Sequence, residues 1–354
     1  MKILHIIDSL DIGGAERVAI TLANVFAEKG HEIGMLILLP GTHPLLYLLN
    51  TNVKKYLLNR RNKLRPLYAR EISSISVRYD IIHVHMRHNL RYLWFASYFS
   101  LIKWKKIFFH DHYGDIKNDK KIDVITKNII RKSIYLGVSK ELCKWAIKHC
   151  DVKKNYLLEN IIIKEKIVKK QIKKTRGNRL ILVSNIHPRK NIEFAIEIMY
   201  ELRKEEVYFL DIIGQITDRG YYNKLKKMIR SYGLKDFVNF NENCNNIQLI
   251  LYNYDLALHT SKSEAGPLVL IEYLAQSLPF LTFSTGEVIQ KLKEELQILI
   301  VDSFNIQEWI KQIQELLQTD RSLIKRKMGE IYSNNYSSKI YYNRCLKIYQ
   351  ENLF

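Results

Sequence analysis

Cysteine is scarce, with four in 354 residues, and Cys143, Cys150, Cys244 and Cys345 fall at no metal-ligand spacing. This excludes a disulfide-stapled scaffold and a cysteine metal centre, and it reads as the reduced thiols of a cytoplasmic protein. Long apolar runs are also missing. The best stretch, Tyr92 to Ile102 between Arg91 and Lys103, is about half of a bilayer span. Its aromatic and basic mixture suits either an ordinary buried helix or an element lying in a membrane interface. The N-terminus, Met1 to Asp8, turns polar too early for a signal peptide. No low-complexity tract and no repeat at solenoid periods interrupts the chain.

Acidic residues are the other deficit: 36 Asp and Glu stand against 56 Lys and Arg, a net charge of +20. The imbalance is local. Residues 1–176 hold about 34 basic against about 15 acidic side chains, and the remainder is close to neutral. A basic first half attracts phosphate, whether on nucleic acid, on anionic lipid or on a diphosphate-linked substrate. The same excess also serves as plain solubility charge.

The length suits two domains, and a hydrophobic share of 47% supplies a substantial core. Short apolar runs alternate with amphipathic stretches. Strands are expected at Ile3–Ile7, His31–Leu39, Asp80–His85, Ile107–His110, Ile134–Val138 and Tyr156–Ile162. A basic, weakly patterned linker follows over 163–178. The alternation restarts with strands at Leu180–Ser184, Val207–Ile213, Phe237–Phe240, Asp255–His259, Pro279–Phe283 and Ile298–Val301. This is the α/β pattern of two parallel sheets covered by helices. The expected domains are 1–165 and 166–336, with a tyrosine-rich helix over 337–354 packing back on the first. Two such halves imply a cleft, with ligands at the carboxyl ends of the strands.

The most informative stretch is Ser263-Glu-Ala-Gly-Pro-Leu-Val-Leu-Ile-Glu272. Glu264 falls in a loop beside Gly266 and Pro267, and Glu272 lies about two turns into the helix that Pro267 opens. Two carboxylates flanking free helix N–H groups can hold hydroxyls at two points and an anion between them. A nucleotide sugar has that pattern. Elsewhere, Gly13-Gly14 follows a strand and opens a helix, a turn that permits close backbone approach. Histidines gather at His83, His85, His110 and His112, but they are spread over two strand ends without the usual metal-ligand spacing, which disfavours a metal.

Five segments in order, Gly13-Gly14-Ala15-Glu16-Arg17, Asp80 to His85, Val138-Ser139, Lys190 and Ser261 to Glu272, make the whole chain resemble a retaining glycosyltransferase of family 4. The resemblance implies the GT-B fold, two Rossmann-like domains facing each other across a deep cleft. It implies that Gly13 and Gly14 line that cleft, and that His112, in the place of the family's Thr-x-His histidine, points at the transferred sugar, with His110 as second choice. Lys190 keeps the place of the lysine that clamps the donor diphosphate. Asn185 replaces the usual arginine, and Arg189 stands as the second cation. Gly214 opens the nucleotide pocket, and Phe237 to Asn245 borders the base. Glu264 takes donor-sugar hydroxyls, the backbone of Ala265, Gly266, Pro267 and Leu268 faces sugar and phosphate, and Glu272 holds the ribose. No Asp-x-Asp stands at a strand end, so the resemblance implies neither metal nor cofactor.

The implied activity is transfer of a sugar from a nucleotide sugar, with retention, to a glycan acceptor. That acceptor is expected to be lipid-linked, such as a polyprenyl-diphosphate glycan. The setting is surface polysaccharide, capsule or lipopolysaccharide assembly by a cytoplasmic enzyme peripheral on the inner membrane face. A sugar-nucleotide epimerase can share the architecture. A nucleic-acid-binding role would fit the charge, but no helix-turn-helix, zinc or RNA-binding signature accompanies it.

Overall fold

A computed structural model describes all residues except 63–64, 99–106, 117–118, 168–176, 243, 245 and 354. The chain divides into two compact units, Met1–Ile161 with Ser338–Phe354, and Ile162–Ser337.

The first unit runs β1 (Lys2–Ile7), α1 (Gly14–Glu28), β2 (Glu32–Ile37), β3 (Lys54–Leu57), α2 (Pro66–Ser76), β4 (Ile81–His85), α3 (Arg87–Ser97), β5 (Ile107–Asp111), α4 (Val124–Lys132), β6 (Ile134–Gly137), α5 (Lys140–Cys150) and β7 (Asn155–Leu157). All pairings are parallel, in the order β3-β2-β1-β4-β5-β6-β7. β1 and β2 are buried at every position but the first, as expected of strands covered on both faces. Caps set helix starts: Asp123 accepts from Thr126 N at 2.8 Å and Ser139 from Leu142 N at 3.2 Å. The C-terminal helix, Ser338–Leu353, belongs to this unit and buries Tyr341, Cys345, Ile348 and Tyr349 in its core.

The second unit runs β8 (Asn178–Val183), α6 (Ile192–Leu202), β9 (Tyr208–Ile213), α7 (Arg219–Ser231), β10 (Val238–Asn241), β11 (Leu256–His259), α8 (Leu268–Gln276), β12 (Phe280–Phe283), α9 (Val288–Glu295), β13 (Ile300–Val301), α10 (Ile306–Gln318) and α11 (Ser322–Asn335). Its sheet order is β10-β9-β8-β11-β12-β13. Both sheets follow the doubly wound order, in which the strand sequence reverses beside the first strand of each unit. That reversal places open loops at the carboxyl ends of β1 and β4, and of β8 and β11.

The expected strands differ from the observed ones mainly at edges. β3 carries the exposed pattern of a sheet edge and no apolar run marks it. β7 ends at Leu157, well short of Ile162.

Candidate functional site

In the second unit the loops after β8 and β11 meet. A 3₁₀ turn over Pro188–Lys190 ends at Asn191 in the left-handed region and leads into α6. Lys262 N donates to Arg189 O at 3.0 Å, and Thr260 Oγ1 donates to Lys190 O at 2.9 Å. These bonds bring Lys190 Nζ to 2.5 Å from Glu264 Oε1. The pair is shielded, with side chains 26% and 15% exposed. Burial alone would raise the Glu264 carboxyl, but the Lys190 ammonium, with His259 behind it, holds it well below the usual carboxylate range. Arg189 is exposed beside this pair, and its N–H is taken by His187 Nδ1 at 3.2 Å. Asn185 is half-buried in the same loop.

Gly214 ends β9 with φ of +154°, and a Cβ there would lie 2.0 Å from Ser184 O. Only glycine lets the β9 end pass so close to the β8 loop.

The Glu264–Pro267 loop is pinned by the turn after β12. Glu264 N donates to Thr285 Oγ1 at 3.1 Å, and Glu287 N donates to Ala265 O at 2.8 Å. Gly286 at φ +89° lies under Pro267, where a Cβ would approach the ring to 2.6 Å. Ala265 is buried and Gly266 half-buried. Pro267 is the cap of α8, so Leu268 is its first residue. Glu272 is therefore the fifth helical residue, closer to the N-terminus than two turns, and it is only 4% exposed.

His259, Thr282 and Thr285 went unread in the sequence because no motif marks them. His259 is buried at the end of β11, with Nδ1 2.9 Å from Thr282 Oγ1 and Nε2 3.6 Å from Glu264 Oε1. It supports the carboxylate from beneath.

In the first unit Gly13 caps α1, and a Cβ on it would fall 2.1 Å from Glu16 Oε2. Gly14 opens the helix. The missing side chain makes room for the Glu16 carboxyl, which burial, joined by Asp8 and Asp11, pushes up to about 7. His112 follows β5 and is half-buried, its Nε2 3.2 Å from His85 Nδ1. Burial lowers its pKa to about 3, so the ring is neutral near pH 7. His110 is fully buried inside β5 and bonded through Nε2 to Leu158 O.

The wide spacing of the histidines in sequence is misleading. Parallel register pairs His5 with His83 and His85 with His110, which collects all four on one face of the sheet. A cavity nearby is lined by Arg87, Arg91, Asp119, Lys121, Asp123 and Thr126. Arg87 is fixed there by Asp111 at 2.8 Å, with the rings of Tyr113 and Trp145 at 4.4 and 4.3 Å. Lys103, which flanks the stretch suited to a membrane interface, lies outside the described residues with Lys105 and Lys106 just after it, as do Phe99–Ile102 of that stretch and Asn243 and Asn245 of the base-bordering segment. No described helix is long and apolar enough to cross a membrane.

Residues 163–334 match the family model of glycosyl transferases group 1, and residues 12–153 match that of glycosyltransferase family 4. The chain belongs to this class of glycosyltransferases, and its fold is GT-B. It is 21% identical over 328 residues to an uncharacterized glycosyltransferase of Haemophilus influenzae, covering 86% of this chain and 87% of that one. It is 23% identical over 354 residues to the N-acetyl-alpha-D-glucosaminyl L-malate synthase of Bacillus anthracis, covering 93% and 92%. Among solved structures, a glycosyltransferase from Rickettsia africae superposes with a TM-score of 0.81 at 19% identity, covering 99% of this chain and 98% of that one. Anabaena HepE in complex with UDP superposes with a TM-score of 0.80 at 15% identity, covering 99% and 100%.

Proposed function

We propose that the protein transfers a sugar from a nucleotide sugar to a glycan acceptor with retention of configuration and without a metal at the reacting diphosphate. The observation that carries this reading is the Lys190–Glu264 pair at the switch point of the second sheet. A carboxylate held ionised suits sugar hydroxyls, and an adjacent ammonium suits the departing phosphate. On donor binding Lys190, with Arg189, turns to the diphosphate, and Glu264 is released to the sugar. Glu272 takes the ribose hydroxyls, and the N–H groups at the start of α8 face the phosphate. His112 contributes a neutral imidazole to the transferred sugar, and the departing phosphate assists deprotonation of the acceptor hydroxyl.

The acceptor belongs to the basic first unit. We assign to it a lipid-linked glycan on the inner membrane face, in surface polysaccharide or lipopolysaccharide assembly. The cavity at Arg87, Arg91 and Lys121 also carries Asp119 and Asp123, and an acceptor phosphate there would share Arg87 with Asp111 and Arg91 with Asp123. Screening UDP, GDP and ADP, each with its sugars, for a shift in melting temperature tests the donor class, because a ligand of the folded state stabilises by mass action. A shift with one nucleotide and its sugar is expected. No shift with any at millimolar concentration would refute the reading.

A further inference from the structure

Five imidazoles pack side by side in the first unit. His5, His83, His85 and His110 are fully buried on β1, β4 and β5, and His112 follows them at the end of β5. Ring centroids of His83 and His85 are 4.6 Å apart, those of His83 and His110 5.2 Å, and those of His85 and His110 5.6 Å. One ring nitrogen from each of His83, His85 and His110 lies within 4.8 Å of those of the other two.

Each of these three rings is held from its outer side. His110 Nε2 faces Leu158 O at 3.2 Å, and a carbonyl only accepts, so Nε2 carries the proton and Nδ1 the lone pair. His83 Nδ1 is 2.5 Å from the Tyr349 hydroxyl. His85 Nδ1 is 3.2 Å from His112 Nε2. The opposite nitrogens of His83 and His110, Nε2 and Nδ1, are buried without a hydrogen-bond partner among the described residues. His85 Nε2 meets only His5 Nδ1, at 3.2 Å. The desolvation of these nitrogens is not compensated by a hydrogen bond among the described residues, and His5 Nε2 in the same cluster shares that condition.

We propose that His83 Nε2, His85 Nε2 and His110 Nδ1 bind one divalent transition-metal ion of the zinc class, with Leu158 O, Tyr349 and His112 as the outer partners that orient the ligand rings. Neutral imidazoles suit such ions, and a carbonyl or similar group on the far nitrogen is the usual support. Tetrahedral zinc with Zn–N of 2.0–2.1 Å needs ligand nitrogens about 3.3 Å apart, so the nitrogens close by up to about 1.5 Å, and the His83 and His85 rings, stacked at 16°, turn so that their in-plane lone pairs meet at the ion. The His5–His85 bond gives way in exchange. The bound ion fixes the remaining His85 proton on Nδ1, where it donates to His112 Nε2. The site is distinct from the Lys190–Glu264 pair and does not depend on the donor reading.

The test uses the full chain, stripped with chelator and titrated with Co²⁺ followed by displacement with Zn²⁺. One ion per chain with the visible absorption of nitrogen-ligated cobalt is expected, and Zn²⁺ should raise the melting temperature. His83→Phe and His110→Gln should each weaken binding by about 10-fold or more, and His149→Ala should leave it unchanged. X-ray absorption at the zinc edge of the unsubstituted protein guards against variants that fail to fold, and it should count three imidazoles. No ion retained by the folded protein, equal retention by a folded His83→Phe/His110→Gln double variant, or sulfur in the zinc shell would each overturn the proposal.

Discussion

Replacing Lys190 with methionine removes one member of the shielded pair and leaves the largely shielded Glu264 carboxylate facing His259, whose Nε2 is 3.6 Å away. Breaking a fully buried pair costs about 3–5 kcal/mol and an exposed one about 0–1. With side chains 26% and 15% exposed, the expected loss is about 2 kcal/mol. In a unit of this size that lowers its melting temperature by about 4–8 °C. The pH dependence has a definite sign. The folded Glu264 carboxyl titrates below its ordinary value of 4.5, so the stabilisation is complete above about pH 4.5 and fades as pH falls below it. Urea melts at pH 7 and pH 4 should therefore show a wide gap between the two proteins at pH 7 and a narrower one at pH 4. Turnover should drop about 100- to 1,000-fold, as for loss of one donor to developing charge. Wild-type turnover together with an unchanged melt would refute both the pair's structural weight and its part in the chemistry.

Glu272→Ala should weaken nucleotide binding measured by calorimetry, and an unchanged affinity would remove the ribose role. Glu16→Gln should stabilise the protein at alkaline pH. A carboxyl raised from 4.5 to about 7 in the fold loses stability as pH climbs between those values, on the order of 3 kcal/mol at most. The gain should appear in urea melts at pH 8 and vanish near pH 4.5, and equal gains at both would contradict the assignment. Charge reversal at Lys103, Lys105 and Lys106 should reduce sedimentation with anionic vesicles. Undiminished sedimentation would leave that segment without a membrane role.

The two parallel sheets were legible because strands such as Leu180–Ser184 are unbroken apolar runs, a signal that survives without knowledge of neighbours. β3 was not, since Lys54-Lys-Tyr-Leu57 sits at an edge and buries little. The Glu264–Glu272 stretch and Lys190 could be picked out by residue type and order. Their direct pairing could not, because it depends on Thr260 and Lys262 tying one loop to the other. His259 and Thr285 lie outside any recognisable pattern and act only through three-dimensional contact. The histidine cluster is the clearest case: register across β1, β4 and β5 decides it, and no spacing within one segment reveals register.

The return of the last helix to the first unit dictates how the polypeptide can be cut. The segment from Ile162 to Ser337 is one uninterrupted piece of chain with its own core. The other portion cannot be obtained by simply stopping translation early. A product ending near residue 161 forfeits Tyr341, Cys345, Ile348 and Tyr349. At about 1.5–3 kcal/mol for each large buried side chain, that loss rivals the entire folding free energy of a small domain, about 5–15 kcal/mol. An isolated first unit therefore has to keep residues 338–354.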